Sequence, residues 1–241
     1  MVDMTTTAEA ADLRQHALII GASRGLGLAI AEAYLARGTH VVGTVRPGPR
    51  TKLHALCERW PDQLEIETVD ITSVDQVAAL RSRLEGKTFD LLLINAGITN
   101  EDRETIADVS TDEFVRVMVT NALSPLRAIE TLHDLVDPNG TIAVMSSGQG
   151  SVANNERGGA EVYRASKAAL NTLMRSYAAR HASDQRTLLL LAPGWIRTDL
   201  GGPSAPFSIE ESVPVLVATI EAQRGKSGLQ YIDRQGHAVP W

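Results

Sequence analysis

Six short apolar segments recur along this chain, and they restrict its fold more than any other feature. They are near-continuous runs of Val, Ile and Leu, with little alternation between apolar and polar residues. Such runs predict strands that are buried on both faces, as in a parallel sheet. The predicted strands are His16–Gly21, His40–Val45, Leu64–Val69, Phe89–Asn95, Thr141–Ser146 and Thr187–Ala192, with a seventh at Leu229–Ile232.

Stretches with the periodicity of amphipathic helices lie between these strands, at Leu26–Arg37, Val74–Leu84, Asp112–Leu135 and Tyr163–Arg180. Capping boxes are predicted for the pairs Ser73 with Gln76, Ser110 with Glu113 and Ser208 with Glu211. Repeated β-α-β units predict an α/β fold with a Rossmann-type doubly wound parallel sheet of about seven strands and helices on both faces. We expect one domain, residues 15–241, after a flexible N-terminal arm, residues 1–14.

Composition excludes several classes of protein. A net charge of −6 and a pI near 5.5 argue against a nucleic-acid binder, which usually carries a basic patch. No apolar stretch approaches the roughly 18 residues of a membrane span, and the N-terminus lacks the apolar core of a signal peptide. The single Cys57 excludes an internal disulfide and suits a reducing cytosol, so a cytoplasmic location is expected. The six histidines show no ligand spacing, so no metal site is predicted.

A glycine-rich loop follows the first predicted strand and precedes a helix. It includes Gly21, Ser23, Arg24, Gly25, Leu26 and Gly27. At such a turn, glycine lets the backbone approach a pyrophosphate, and the helix N-terminus supplies free N–H groups to hold it. Taken alone, a glycine triplet is as often a simple turn, and the spacing here differs from the usual dinucleotide fingerprint. Its position between a strand and a helix favours dinucleotide binding.

Tyr163 and Lys167 lie four residues apart on a predicted helix, so they share one face. An ammonium near a phenol stabilises the phenolate and moves the tyrosine pKa down from about 10. Such a tyrosine can donate a proton to a carbonyl oxygen or accept one from an alcohol. The pair alone is common on helix surfaces, and the glycine loop upstream is what favours a catalytic interpretation.

Together these motifs resemble the short-chain dehydrogenase/reductase family over nearly the whole chain, in its short single-domain branch. Further family motifs stand in order at Asn95-Ala96-Gly97, at Asn121, at Ser147 and at Pro193-Gly194-Trp195-Ile196-Arg197-Thr198. The stretches YRASKAALN and APGWIRTDLGG are most similar to C-factor- and sniffer-type carbonyl reductases.

The resemblance implies a role for each matching residue. Tyr163 would exchange the proton, Ser147 would orient the substrate oxygen, Lys167 would lower the tyrosine pKa and hold the nicotinamide ribose, and Asn121 would anchor a water that links Lys167 to solvent. Asn95, Ala96, Gly97, Pro193 and Gly194 would line the cofactor site. Asp70 and Ile71 resemble the pair that contacts adenine, and Ile196 and Thr198 the segment that contacts the carboxamide.

Two positions depart from the family pattern. Ile20 stands where the family usually has Thr, which removes a hydroxyl that would tie the glycine loop to the Asn95 loop, so local rearrangement is expected. The interval between Ser147 and Tyr163 is about three residues longer than usual, and the extra residues fall in the polar stretch Val152–Glu161. Counting back from the tyrosine therefore leads to Ser151. We prefer Ser147 because it ends a strand, where ligands contact parallel sheets, and expect Ser146 to face the opposite side.

The end of the second predicted strand indicates which cofactor binds. An acidic residue about 20 positions beyond the glycines would bind the ribose 2′-OH of NAD, whereas a nearby arginine accepts the 2′-phosphate of NADP. Val45 occupies this position, Arg46 follows it, and the next acid is Glu58. Arg46 and Arg24 can bind a phosphate, so NADPH is predicted.

The sequence therefore predicts an NADPH-dependent carbonyl reductase or alcohol dehydrogenase that acts on a small molecule. The alternative is a non-catalytic NADP-binding signalling or regulatory protein on the same fold. A sugar epimerase or dehydratase would need more chain than follows Pro193. Gly201–Glu211 is expected to form a mobile flap over the substrate, and Trp195 and Phe207 suggest a partly apolar substrate. The resemblance implies a homodimer or homotetramer, which the insertion before Tyr163 would affect.

Overall fold

A computed structural model describes residues 15–101 and 104–241, where seven strands form one sheet. The strand order is β3-β2-β1-β4-β5-β6-β7, and every neighbouring pair is parallel. The predicted fold class is confirmed, whereas the predicted N-terminal arm, residues 1–14, lies outside the described residues. The strands are β1 His16–Ile20, β2 His40–Val45, β3 Leu64–Thr68, β4 Phe89–Ile94, β5 Val136–Met145, β6 Thr187–Ala192 and β7 Gly228–Asp233.

Helices cover both faces of the sheet, and the alternation of side chains along β1 shows how. Leu18 and Ile20 belong to an apolar core shared with α3, α5 and α6, whereas Ala17 and Ile19 belong to a second core shared with α1 and α7. A strand buried on both faces needs apolar residues at every position, which explains the near-continuous runs. The helices are α1 Gly25–Leu35, α2 Lys52–Leu56, α3 Val74–Arg83, α4 Thr111–Met118, α5 Ser124–Leu132, α6 Glu161–Arg180 and α7 Ile209–Gln223.

The helix predicted over Asp112–Leu135 is present, but it is not α-helical throughout. Between α4 and α5 the chain forms a π-helical turn over Val119–Leu123, and a 3₁₀ turn follows α5. Pro125 explains the π turn, because it has no N–H to donate to the carbonyl of Asn121, four residues earlier. Single π turns inside helices are frequent at functional sites. Asn121 lies within this one.

Helix capping agrees with the sequence in part. Ser208 and Glu211 form the predicted reciprocal box at the start of α7. The Ser73 and Ser110 hydroxyls each accept a backbone N–H, but neither box is closed. Glu113 instead binds Arg116, and the side chain of Gln76 accepts from the N–H of Asp70, at the adenine end of the predicted cofactor site.

β5 begins at Val136, earlier than the predicted Thr141. Val136 pairs with Phe89, and the register then shifts before Thr141 pairs with Leu91. The residues between them, Asp137-Pro138-Asn139-Gly140, have turn-forming composition, which masked the earlier start of the strand. No helix among residues 15–101 and 104–241 is both long and apolar enough to cross a bilayer.

Candidate active site

The predicted site residues gather at one edge of the sheet, at the carboxyl ends of neighbouring strands. The glycine loop follows β1, Asn95-Ala96-Gly97 follows β4, Ser147 follows β5, and Pro193 follows β6. Because β1, β4, β5 and β6 are adjacent and parallel, these four connections share the edge where ligands bind in open α/β sheets.

The glycine loop packs too closely against its neighbours to accept side chains. A Cβ on Gly21 would lie 2.9 Å from the Ala96 nitrogen, and one on Gly27 would lie 2.1 Å from the Gly21 oxygen. Gly21 also has φ +93°, which residues with a side chain rarely adopt. The Asn95 amide donates to the Gly21 carbonyl at 2.9 Å, which joins this loop to the turn after β4.

Hydrogen bonds of the backbone hold the glycine loop in place at the position where Ile20 replaces the family's threonine. Ile20 is buried in the core, and its carbonyl accepts hydrogen bonds from the N–H groups of Asn95 at 2.9 Å and Ala96 at 3.1 Å. The N–H of Gly21 donates to the hydroxyl of Thr44 at 3.0 Å. Thr44 lies on the neighbouring β2 and is buried. Thr44 therefore supplies this loop with a hydroxyl contact that no motif in the sequence indicates.

The N-terminus of α1 can hold a phosphate. The first N–H groups of a helix have no acceptor within it, and here they belong to Gly25, Leu26 and Gly27. Arg24 precedes the helix and has no acceptor atom with which to cap it. Its guanidinium instead pairs with Asp199 at 3.0 Å, and both side chains are largely exposed. This contact joins the glycine loop to the segment that follows β6.

The segment after β6 is folded against the glycine loop. A Cβ on Gly25 would lie 3.8 Å from Cβ of Thr198. The Thr198 hydroxyl accepts from the N–H of Gly201 at 3.0 Å, and the Trp195 indole donates to the Gly201 carbonyl at 2.7 Å. Arg197 donates to the carbonyls of Ala205 and Pro206, so several contacts hold the predicted flap in its present position.

The rest of the predicted segment after β6 differs in burial from one residue to the next. Ile196 is buried and pairs with Phe207, whereas the Trp195 side chain remains 56% exposed. Pro193 and Gly194 follow the end of β6 directly, and Gly194 has φ +90°, which turns the chain there. The segment therefore presents an exposed aromatic ring beside a buried aliphatic side chain.

The adenine end of the predicted cofactor site lies after β3. Asp70 accepts hydrogen bonds from the Thr72 hydroxyl at 2.7 Å and the Thr72 N–H at 2.9 Å. Those bonds, the hydroxyl's above all, lower the pKa of the Asp70 carboxyl. Ile71 is almost fully buried. At the end of β2, Val45 is buried and Arg46 is exposed.

Lys167 is a buried cation beside Tyr163. Its ammonium nitrogen lies 5.7 Å from the centroid of the Tyr163 ring, and it donates to the Met145 carbonyl at 2.9 Å. Burial lowers the pKa of Lys167 to about 8, so the ammonium still predominates at neutral pH. A Cβ on Gly97 would lie 3.5 Å from this nitrogen, so the Asn95-Ala96-Gly97 turn passes directly beside the ammonium.

Asn121 joins the loop after β4 to α6. Its amide donates to the Ile98 carbonyl at 2.8 Å and to the Ser166 hydroxyl at 3.0 Å, and its oxygen accepts from the N–H of Ile98 at 2.9 Å. Both amide hydrogens are therefore engaged, and a water would have to use the amide oxygen or the backbone. Ser166 in turn donates to the Tyr163 carbonyl at 2.8 Å.

The three candidate serines have different environments. Ser147 is partly exposed at the end of β5, and its hydroxyl accepts from the N–H of Gln149 at 3.1 Å. Ser146 is buried and donates to the Asn171 oxygen at 2.6 Å. Ser151 is buried and hydrogen-bonds the Trp241 carbonyl at 3.4 Å. Of the three, Ser147 has the hydroxyl best placed for a ligand.

Tyr231 and Asn171 lie behind Ser147 and hold its turn in place. The Tyr231 hydroxyl donates to the Ser147 carbonyl at 2.5 Å, and Asn171 donates to the Gly150 carbonyl at 3.2 Å. A Cβ on Gly150 would come within 3.0 Å of the Lys167 backbone, so the turn packs directly on α6. Asn171 and Tyr231 carry no sequence motif, and their importance depends on these contacts between distant segments.

Comparison with known proteins agrees with this geometry. Residues 15–207 match the family model described as short chain dehydrogenase. The chain belongs to the short-chain dehydrogenase/reductase family. The predicted family is therefore confirmed, and with it the coarser assignment to the oxidoreductases.

Three relatives show how far the similarity extends. A short-chain dehydrogenase/reductase from Burkholderia multivorans, solved with bound NADP, is 56% identical, with a TM-score of 0.93 over 95% of this chain and 100% of that one. The carbonyl reductase Sniffer of D. melanogaster is 28% identical, with a TM-score of 0.85 over 95% of this chain and 100% of that one. C-signal of Myxococcus xanthus is 34% identical over 154 residues, 63% of this chain and 92% of that protein. The predicted likeness to the C-factor and sniffer types is confirmed.

Proposed function

We propose that this protein is an NADPH-dependent carbonyl reductase, or an alcohol dehydrogenase in the reverse direction, acting on a small molecule. The observation that carries the proposal is the buried Lys167 ammonium, 5.7 Å from the Tyr163 ring. Burying a charge costs free energy unless the charge is paired. A buried ionisable group therefore often marks a functional site. The Lys167 ammonium lies beside the Asn95-Ala96-Gly97 turn, which is hydrogen-bonded to the glycine loop. Tyr163, the candidate proton donor, and the loop that can hold a dinucleotide therefore share one edge of the sheet.

The residues of the edge fit NADPH. The tight turn at Gly21 and the uncapped start of α1 form a cradle for a pyrophosphate, which a Cβ at Gly21 or Gly27 would disrupt. Beside it, β2 ends at buried Val45, and exposed Arg46 follows it. Arg46 thus offers a cation near the position where an NAD site offers a carboxylate. The bound NADP in the Burkholderia relative supports this choice.

Each catalytic side chain has a distinct task in the proposed reaction. When bound, NADPH supplies a hydride to the carbonyl carbon. Tyr163 donates its phenolic proton to the carbonyl oxygen, and Ser147 donates a hydrogen bond that orients this oxygen. Lys167 stabilises the resulting phenolate with its charge. Asn121 acts through position, because it fixes the Ile98 backbone and Ser166 around Lys167.

A non-catalytic NADP-binding protein is the alternative from another class. A pure binder would have no use for a tyrosine beside a buried ammonium, which favours the enzyme. The test is a panel of ketones and aldehydes, including aromatic ones because Trp195 is exposed, with loss of NADPH absorbance as the readout. Turnover of any member supports the reductase. NADPH binding without turnover across the panel supports the binder.

The first prediction separates the three serines. We expect Ser147→Ala to lower kcat/KM about tenfold to a hundredfold, the cost of losing a hydrogen bond to a developing charge. Ser146→Ala and Ser151→Ala should stay within a few-fold of wild type, because their hydroxyls bond Asn171 and Trp241 inside the protein. Thermal unfolding of all three variants separates catalysis from stability. A crippled Ser151→Ala beside an active Ser147→Ala would mean that the insertion was placed wrongly.

The second prediction concerns Tyr231, which lies behind Ser147. Tyr231→Phe removes only the hydroxyl that donates to the Ser147 carbonyl, and we expect kcat to fall by about 2–10-fold, the value of one neutral hydrogen bond. The KM for NADPH should not change. Tyr34→Phe is the matched control, since its buried hydroxyl donates to Glu221 between α1 and α7. Equal effects of both variants on kcat would show that Tyr231 contributes only to stability.

A further inference from the structure

Two histidines and a glutamate meet at the ends of α5 and α6, far from the Tyr163 site. Glu130 lies on α5, His133 follows that helix, and His181 directly follows α6. Potential ligand atoms of the three side chains all lie within 4.8 Å of one another. The sequence showed no ligand spacing among its histidines, and His181 lies far from the other two residues in the chain. Only the packing of α5 on α6 brings it to them.

The spacing between Glu130 and His133 suits joint ligation. Residues three apart on a helix share a face, so the carboxylate and the imidazole project side by side. His181 completes the group, with its ring edge-on to that of His133 at a centroid distance of 5.3 Å. Tetrahedral bonds of about 2.1 Å place ligand atoms about 3.4 Å apart. Rotation of the exposed Glu130 side chain can provide much of the remaining approach.

Tyr177 contacts both imidazoles from the interior of the protein. Its hydroxyl lies 3.0 Å from Nδ1 of His133, and its ring stacks on His181 with a centroid distance of 4.3 Å. Tyr177 is fully buried, so neither contact depends on a mobile surface group. A histidine that binds a metal through one nitrogen almost always donates its other N–H to a carboxylate, a backbone carbonyl or a water. The Tyr177 hydroxyl can take that place beside Nδ1 of His133, in which case Nε2 would bind the metal.

The charges around the group are mixed. Glu130 pairs with Arg180, but both side chains are substantially exposed, and such pairs contribute little. The neighbouring acids are paired, Asp134 with Arg81 and Asp184 with Arg186. Arg186 also acts on His133, so Glu130 is the carboxylate that would offset the charge of a bound cation. Two imidazoles and one carboxylate are the ligand set of many zinc sites, with water in the fourth position.

We propose that Glu130, His133 and His181 form a Zn²⁺ site that joins the ends of α5 and α6. The site lies apart from the reduction chemistry, because Tyr163 lies near the start of the 20-residue α6 and His181 just beyond its end, a helical rise of about 27 Å. Reduction should therefore proceed equally well with and without a chelator, while Zn²⁺ should raise the unfolding temperature.

The experiment is calorimetric titration of ZnCl₂ into the full-length, untagged protein after removal of metals, at about pH 7.5, where histidine is ordinarily neutral. We expect one Zn²⁺ per chain. Loss of a ligand in His181→Ala or Glu130→Gln, or of the supporting hydroxyl in Tyr177→Phe, should weaken binding about tenfold or more. Glu130→Gln keeps the size of an exposed side chain, so it tests ligation even where His181→Ala disturbs the Tyr177 stack.

His237→Ala is the matched control, because His237 pairs with Asp233 at 3.2 Å on the surface, outside the group. It should leave Zn²⁺ binding unchanged. Substitution by Co²⁺ adds a spectroscopic readout, since tetrahedral ligation gives intense visible bands that Glu130→Gln should alter. The proposal is overturned if no saturable one-to-one binding occurs, or if the three site variants bind Zn²⁺ as tightly as His237→Ala does.

Discussion

Tyr163→Phe should abolish carbonyl reduction, with kcat reduced roughly 10²–10⁴-fold or more, the usual contribution of a general acid. The phenolic hydroxyl is needed only as negative charge develops on the substrate oxygen, so its loss should appear in kcat. Cofactor affinity should be nearly unchanged, because Lys167 remains in place and donates to the Met145 carbonyl. Steady-state kinetics with any accepted ketone and a fluorescence titration with NADPH measure the two quantities separately.

Two comparisons make this result specific. Tyr34→Phe removes a buried hydroxyl at the opposite side of the molecule and should retain activity, which controls for the loss of a tyrosine hydroxyl as such. Phe at position 163 also keeps the aromatic ring beside Lys167, so the packing of α6 should persist. Near-full activity of Tyr163→Phe on an ordinary ketone would contradict the proposed mechanism.

The fold could be predicted because its main signals are local. Continuous apolar runs require strands covered on both sides, and the two cores that share alternate residues of β1 show this directly. Where the prediction was incomplete, as in the helix over Asp112–Leu135, a single residue changed the type of helix without ending it. Pro125 removes one donor, and the chain forms a π turn that contains Asn121. The proline was visible in the sequence, but the π turn was not.

The site was only partly predictable, because several of its residues act through contacts between distant segments. Thr44 binds the N–H of Gly21 in the glycine loop, although it lies on another strand. Tyr231 and Asn171 hold the Ser147 turn from β7 and α6. None of these residues belongs to a motif, since threonines in strands, buried tyrosines and asparagines in helices are common in proteins. Their importance follows from register and packing, which local patterns do not specify.

The choice of cofactor is the second large effect that we expect. The ratio of kcat/KM for NADPH to that for NADH should strongly favour NADPH in the wild type, chiefly through KM. A charge-assisted hydrogen bond to the 2′-phosphate contributes about 1.5–3 kcal/mol, which corresponds to roughly tenfold or more in affinity. Arg46→Ala should weaken NADPH binding by this amount and leave NADH almost unaffected. Arg24→Ala should have the smaller effect, because Asp199 already engages its guanidinium at 3.0 Å.

Val45→Asp tests the same site from the opposite direction. A carboxylate there would repel the 2′-phosphate and accept from the free 2′-OH of NADH, so the preference should reverse by about tenfold or more. Val45 is only 5% exposed and packs in the core shared with α1, so this acid also costs stability. Unfolding temperatures are therefore measured beside the kinetics, and the ratio for the two cofactors, which is independent of the folded fraction, decides the outcome. Equal kcat/KM values for NADPH and NADH in the wild type would refute the prediction that the end of β2 selects NADPH. The assignment to the family would still stand.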